Sequence, residues 1–336
     1  MTFLRALVAL AFGVLPWAGA WADTTLVVFS SRQEPLIQPL LNAFEKRTPG
    51  VTIALVSGGD AALIERMRNP REKVDVLLTT DAGNAVYAHK EGLLRPFKSP
   101  EVVSLVPAKW RSTNQDGGHA WVGLSLRART IVYAPDRVNA ATLSTYEALA
   151  DTAWRGRLCL RTAKKVYNKS LVGSLILRHG LGPTEDVVKG WVANFATRPF
   201  AKDSQVLQAI AAGQCDLGLA NTYYLGRMQR DNPDVAVRLF WANQGAGGVH
   251  VNVSTGALGF AGENPELGEA FLLFLLRHDT QKLYAELNME FPVVEGVARH
   301  PIVTAWGDFA AEDLHLDQIG DVQTEAVLLM QRAGYE

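Results

Sequence analysis

The sequence predicts an α/β fold of two lobes, joined by a hinge and divided by a cleft, and three observations predict it. Short apolar runs alternate with segments of helical periodicity, the pattern of a parallel sheet covered on both faces. The alternation occurs twice, once from the residues after 23 and again from about Gly156. Two extended stretches, L-S-L-R-A-R-T-I-V-Y at 124–133 and V-H-V-N-V-S-T-G-A-L-G-F at 249–260, read as chain crossings between the two sets. At 336 residues the chain is long enough for two domains. A formal net charge of −1 and 48% hydrophobic residues exclude any general attraction to nucleic acid or membrane surfaces.

The first 22 residues read as a signal peptide rather than as part of the fold. Arg5 precedes an apolar core, and Ala20-Trp21-Ala22 supplies the small residues a signal peptidase reads. Cleavage after Ala22 leaves Asp23 first and sends the protein to the periplasm. Gly13 and Pro16 interrupt the stretch, which is short for a membrane span.

The first set opens with T-L-V-V-F-S, a buried strand. Ile37, Leu40, Leu41 and Phe44 then recur at helical spacing, with Pro35 suited to a first helical turn. V-T-I-A-L-V-S, D-A-A-L-I-E-R-M-R-N and V-D-V-L-L-T-T follow as strand, helix and strand. In such sheets ligands bind beyond the carboxyl ends of strands. Those ends are Ser30-Ser31-Arg32, Ser57-Gly58-Gly59 and Thr79-Thr80-Asp81. The second set holds the strand R-L-C-L-R, a helix with Leu171, Leu175 and Ile176, and S-Q-V-L-Q-A-I-A-A-G before C-D-L-G-L-A. From Asn264 the chain is mainly helical, and F-L-L-F-L-L reads as a core helix ended by Arg277 and His278. The lobes are expected at 23–126 with 250–300, and at 127–249 with 301–336. This is the architecture of hinge-closing solute-binding proteins.

Cys159 and Cys215 are the only cysteines, and an even count in an oxidising compartment predicts one disulfide. No phosphate loop, G-x-S-x-G elbow, zinc-type cluster or H-E-x-x-H occurs, and the seven histidines are scattered. An enzyme of the same fold would need a nucleophile–base pair, and Ser170, the nearest candidate, has no local signature.

The tyrosines carry more. A Cys159–Cys215 bridge places two strands side by side. Their downstream loops, one with Tyr167 and the other with Tyr223 and Tyr224, then share a rim. Phenols with a pKa near 10 are poor bases at neutral pH, but a small, highly charged cation favours phenolate. Fe(III) suits them, since three phenolates cancel its charge. Open coordination positions then take an anion or water, with Arg32, Arg127 and Arg129 in segments able to face the cleft.

S-S-R-Q-E-P-L-I-Q-P-L-L, D-V-L-L-T-T-D-A-G, L-S-L-R-A-R-T-I-V-Y, S-T-Y-E-A-L-A-D-T-A-W-R-G-R and A-N-T-Y-Y-L-G-R together resemble the periplasmic ferric-iron-binding proteins of ABC importers. V-H-V-N-V-S-T-G and the late F-P-V fit as well, so the resemblance spans nearly the whole mature chain. It implies a transferrin-like, class II solute-binding fold and Fe(III) held by Tyr167, Tyr223 and Tyr224, often with carbonate or another synergistic anion. It also implies delivery by a monomer to an inner-membrane ABC permease. Many relatives add a histidine just after S-S-R, often followed by a tyrosine; here those positions are Gln33 and Glu34. Arg32 and Arg127 then become anion partners beside the metal ligands. Glu34 is a candidate for the missing contact, although a carboxylate before Pro35 also suits a helix start. The alternative is a solute-binding protein for an organic or anionic ligand held by cleft arginines.

Overall fold

The computed structural model describes residues 23–113 and 118–336. The expected signal peptide, residues 1–22, lies outside the described residues. From Thr24 the chain alternates as expected: β1 (Thr24–Ser30), α1 (Glu34–Arg47), β2 (Val51–Ser57), α2 (Asp60–Met67), β3 (Val76–Thr79) and α3 (Ala82–Lys90). Pro35 occupies the first turn of α1, where a missing N–H removes no helical bond. Ile37, Leu40, Leu41 and Phe44 form its buried face. Phe44 meets Phe271 and Phe274 of the later apolar helix at 5.0 and 5.2 Å between ring centroids. Burying each such side chain contributes roughly 1.5–3 kcal/mol.

β4 (Leu94–Arg95) and α4 (Pro100–Leu105) lead into β5 (Val122–Tyr133), the first expected crossing. The second set contains β6 (Leu158–Cys159), α5 (Val166–His179), α6 (Leu181–Ala193), α7 (Asp203–Ala211), β7 (Leu217–Asn221), α8 (Thr222–Asp231) and β8 (Arg238–Phe240). The return crossing is β9 (Val251–Gly259), followed by α9 (Pro265–Leu276), α10 (His278–Asn288) and β10 (Phe291–Pro292). The chain ends in α11 (Pro301–Ala305), α12 (Leu316–Asp321) and α13 (Gln323–Arg332). F-L-L-F-L-L lies in α9 with Phe271, Leu272, Leu275 and Leu276 fully buried, so it is a core helix.

The sheet is mixed, where alternation alone predicts a parallel one. Among the described residues, the strands run in the order β2-β1-β3-β9-β5-β7-β6. β1 is parallel to β2 and β3, but β9 enters antiparallel to both β3 and β5. The reason is the crossings themselves, since a chain returning from the second set arrives in the opposite sense. β5 serves both sets: Val122–Ala128 pair with β9, while Arg129–Tyr133 pair with β7. The handover falls between Ala128 and Arg129. α12 packs against both α3 and α5, adding a further connection. The R-L-C-L-R strand contracts to two residues, Leu158 and Cys159, paired in parallel with Leu217 and Gly218.

Cys159 and Cys215 form the expected disulfide, with Cα atoms 6.0 Å apart. Gly218 allows the strands to close up beside it. A Cβ there would stand 2.3 Å from the carbonyl oxygen of Cys159.

Candidate metal centre

β6 and β7 run in parallel, so the chain leaves both at the same edge of the sheet. After β6 it passes through a short loop into α5, whose second residue is Tyr167. After β7 it enters α8 directly, with Tyr223 and Tyr224 as the second and third residues. The sequence places these tyrosines on loops, whereas the structure puts all three on first helical turns. The difference matters electrostatically, because the unpaired N–H groups of a helix start favour negative charge.

Adjacent helical residues point about 100° apart, yet Tyr223 and Tyr224 hold their rings 4.3 Å apart, tilted by 36°. The Tyr223 hydroxyl donates to that of Tyr167 at 3.1 Å. Burial pushes the Tyr167 phenol up to about 12; the neighbouring Tyr224 adds to this, and Arg127 opposes it. Burial likewise drives Tyr223 well above its ordinary value, reinforced by Tyr167 and Tyr224. Both phenols therefore keep their protons at neutral pH until a cation displaces them.

Four cations surround the rings. The guanidinium carbons of Arg127 and Arg161 lie 5.7 and 5.3 Å from the Tyr167 ring centroid, and Lys165 Nζ lies at 5.3 Å. Arg227 stands 4.9 Å from the Tyr223 ring and 6.0 Å from that of Tyr224. Arg161 is buried, its Nε and Nη1 make no hydrogen bond, and Nη1 stands 4.0 Å from Asp203 Oδ2. Buried polar groups are ordinarily hydrogen-bonded, so a guanidinium edge short of hydrogen bonds beside phenols suits an incoming anion or phenolate.

Tyr167, Tyr223 and Tyr224 share a cleft of about 630 Å³ with Arg32, Gln33, Thr80, Arg161, Lys165, Arg227 and Glu290, among others. Arg32 reaches this cleft, but its guanidinium is committed to Glu290 at 3.1 Å and to Asn288 and Ser254. Arg127 sits behind Tyr167 rather than on the cleft wall, paired with Asp81 at 3.2 Å and with Nη1 unpartnered. Arg129 is structural: it bonds Asp203 at 3.0 Å and also Asn168 and Asn221. Glu34 is exposed on the first turn of α1 and does not line the cleft, whereas Gln33 does. Ser170 donates to Asp81 Oδ1 at 3.1 Å, a contact that ties α5 to the start of α3.

Sequence reasoning missed Arg161, Lys165, Arg227 and Glu290. Two of these carried a readable signal. Arg227 follows Tyr223 by four residues on one helix face, and Lys165 stands two before Tyr167. Arg161 ends the R-L-C-L-R run and Glu290 directly precedes F-P-V, but neither segment shows that its charge reaches the cleft, which depends on tertiary placement.

Known proteins match this fold along almost the whole chain. The profile of the bacterial extracellular solute-binding proteins matches residues 26–286. Iron uptake protein A2 of Synechocystis sp. is 36% identical over 341 residues, covering 98% of this chain and 96% of that protein. A Trichodesmium protein (IdiA, FutA), solved in complex with iron and citrate ligands, superposes with a TM-score of 0.87. It is 36% identical, and the match covers 93% of this chain and all of that one. The apo ferric ion-binding protein A of Pasteurella haemolytica gives a TM-score of 0.86 at 30% identity, covering 94% of this chain and 98% of its own.

Proposed function

Because the chain belongs to the periplasmic ferric-iron-binding proteins, within the bacterial extracellular solute-binding family, we propose that it captures Fe(III) with Tyr167, Tyr223 and Tyr224. The carrying observation is the convergence of the three phenols on helix starts at one sheet edge, with Tyr223 hydrogen-bonded to Tyr167. Three phenolates offer hard oxygen donors and a charge of −3, which matches a trivalent ion.

The remaining positions take a synergistic anion, carbonate or a small carboxylate, beside Arg161 and Lys165, with Arg32 and Arg127 as further positive charge. No histidine is present at Gln33-Glu34 to supply a ligand from the facing wall. The complex with iron and citrate in the Trichodesmium relative supports a carboxylate in that role.

The lobes, 23–126 with 250–300 and 127–249 with 301–336, close over the cargo about β5 and β9. Opening then releases iron to an inner-membrane ABC permease. The protein acts as a monomer in the periplasm, after cleavage following Ala22.

A second reading, an organic or anionic solute held by cleft arginines, draws on Arg161, whose Nε and Nη1 lack hydrogen bonds. One experiment separates the two. Adding Fe(III) to the purified metal-free protein gives a visible phenolate-to-iron charge-transfer band. The Tyr223→Phe, Tyr224→Phe double variant gives none. A colourless wild type refutes the iron reading and leaves the second.

A further inference from the structure

Helix α10 ends at Asn288 and is capped by Met289, whose φ of 56° and ψ of 35° lie in the left-handed region. Glycine is the usual occupant of such a cap, because it has no Cβ to crowd the backbone. A bulky side chain held there marks a position where something else is gained. Met289 is only 1% exposed, and α8, the helix of Tyr223 and Tyr224, helps to cover it. A Cβ added to Gly226 would stand 3.0 Å from Met289 Cβ and 3.4 Å from its Cγ. The α8 backbone therefore rests directly on the methionine.

The two flanking residues grip the facing wall of the cleft. Asn288 Oδ1 accepts from Arg32, and Glu290 pairs with Arg32 at 3.1 Å. Ser125 of β5 donates to Glu290 as well. The backbone carbonyl of Asn288 also accepts from Arg227 of α8 at 3.4 Å. Three consecutive residues thus span from Arg32, on the β1–α1 connection, to the helix that carries the tyrosine pair.

We infer that Met289 is a positioning residue for Tyr223 and Tyr224. Its side chain sets the spacing between α8 and the Arg32 wall, and so fixes where the two phenols sit across the cleft. Glycine would suit the backbone better at this turn, while methionine suits the cleft.

The inference uses the iron reading above for one readout, and a second readout is independent of it. Met289→Gly relieves the backbone and removes the contact, whereas Met289→Leu keeps an apolar side chain of similar reach. Fe(III) is loaded from its nitrilotriacetate complex, and its dissociation is followed after adding a chelator. Separately, spin labels at Glu65→Cys and Lys189→Cys report the distance across the cleft in metal-free protein. For Met289→Gly we expect a lowered thermal midpoint with the cooperative transition kept, since the cavity outweighs the backbone relief, together with iron loss faster by about tenfold, the scale seen when an outer partner of a metal ligand is removed, and a broader distance distribution. Met289→Leu restores both cleft readouts. Wild-type dissociation and distances in Met289→Gly overturn the inference, as does loss of cooperative unfolding, which would make Met289 a fold residue only. If the wild type takes up no iron, the function proposed above fails, and the distance distributions alone decide this inference.

Discussion

Tyr167 and Tyr223 share a hydrogen bond of 3.1 Å across 56 residues of chain, the same separation as the disulfide partners Cys159 and Cys215. Each tyrosine follows its cysteine by eight residues. The disulfide fixes two neighbouring strands, and equal lengths of chain carry the two phenols from that tie to one point. Their mutual hydrogen bond also means that metal uptake has to displace protons held between buried oxygens.

Removing one phenol should weaken binding without abolishing colour. Tyr167→Phe deletes one charge and the acceptor of the Tyr223 hydroxyl. Loss of an outer partner of a metal ligand costs roughly 10–100-fold in metal affinity, and loss of a ligand should exceed that. Competition titration against a chelator measures the change, and an unaltered affinity would remove Tyr167 from the ligand set.

Acidification should release the metal. Tyr167 is pushed up to about 12, first by burial, and Tyr223 well above its usual value, also first by burial. Both are therefore protonated throughout the neutral range and must lose a proton to bind a cation. Each such phenol lowers apparent affinity by roughly tenfold per pH unit of acidification. A plot of log affinity against pH between 6 and 8 should have a slope of at least about two. A flat plot would count against tyrosinate ligation.

Breaking the disulfide should cost stability as well as order at the site. Closing a loop of 56 residues corresponds to about 4 kcal/mol on the chain-entropy account. The Cys159→Ser, Cys215→Ser double variant should show that loss in urea unfolding, together with weaker iron binding. Equal midpoints for variant and wild type would assign the bridge no part in stability.

Glu312 should make part of the stability pH-dependent. Burial acts to raise its pKa, but His250, Ser174 and Arg178 outweigh it and hold the carboxyl below the ordinary range. His250 Nδ1 lies 2.5 Å from Oε1, and Arg178 donates to Oε2 at 3.0 Å. A depressed folded-state pKa gives stability that is complete above the unfolded value, about 4.3, and is lost as pH falls through the folded value. Glu312→Gln should lower stability at pH 7 by about 3–5 kcal/mol, the range for breaking a buried ion pair, and flatten its fall below about pH 4.3. Denaturant midpoints at pH 7, 5 and 3.5 test both parts.

Much of this was legible in the sequence because it is written locally. The period of α1 and the uniform hydrophobicity of α9 report their own burial. Two cysteines admit one pairing, and that pairing brings Tyr167 near Tyr223-Tyr224. What was not legible depends on partners distant in the chain. Strand direction in β9 follows from the crossing, not from any residue within it. Arg127 and Arg129 look alike in sequence, two apart on one strand, yet one pairs with Asp81 behind Tyr167 and the other with Asp203. Glu34 has the right charge at the right lip, but the turn into α1 points the neighbouring Gln33 into the cleft instead. Glu290 reaches the same cleft from far along the chain, directly before the F-P-V stretch, which by itself says nothing of a contact with Arg32.

β9 lies between β3 and β5 in the sheet but comes late in the chain, with Val251–Gly259 completing a layer begun at Thr24. During synthesis, then, β3 lacks its second neighbour until residue 259 has emerged. A chain ending before Val251 keeps β5, β6, β7 and β8 together but leaves β3 without β9, the strand that joins it to β5. Chains ending before Val251 should therefore leave the free edge of β3 exposed and prone to aggregate.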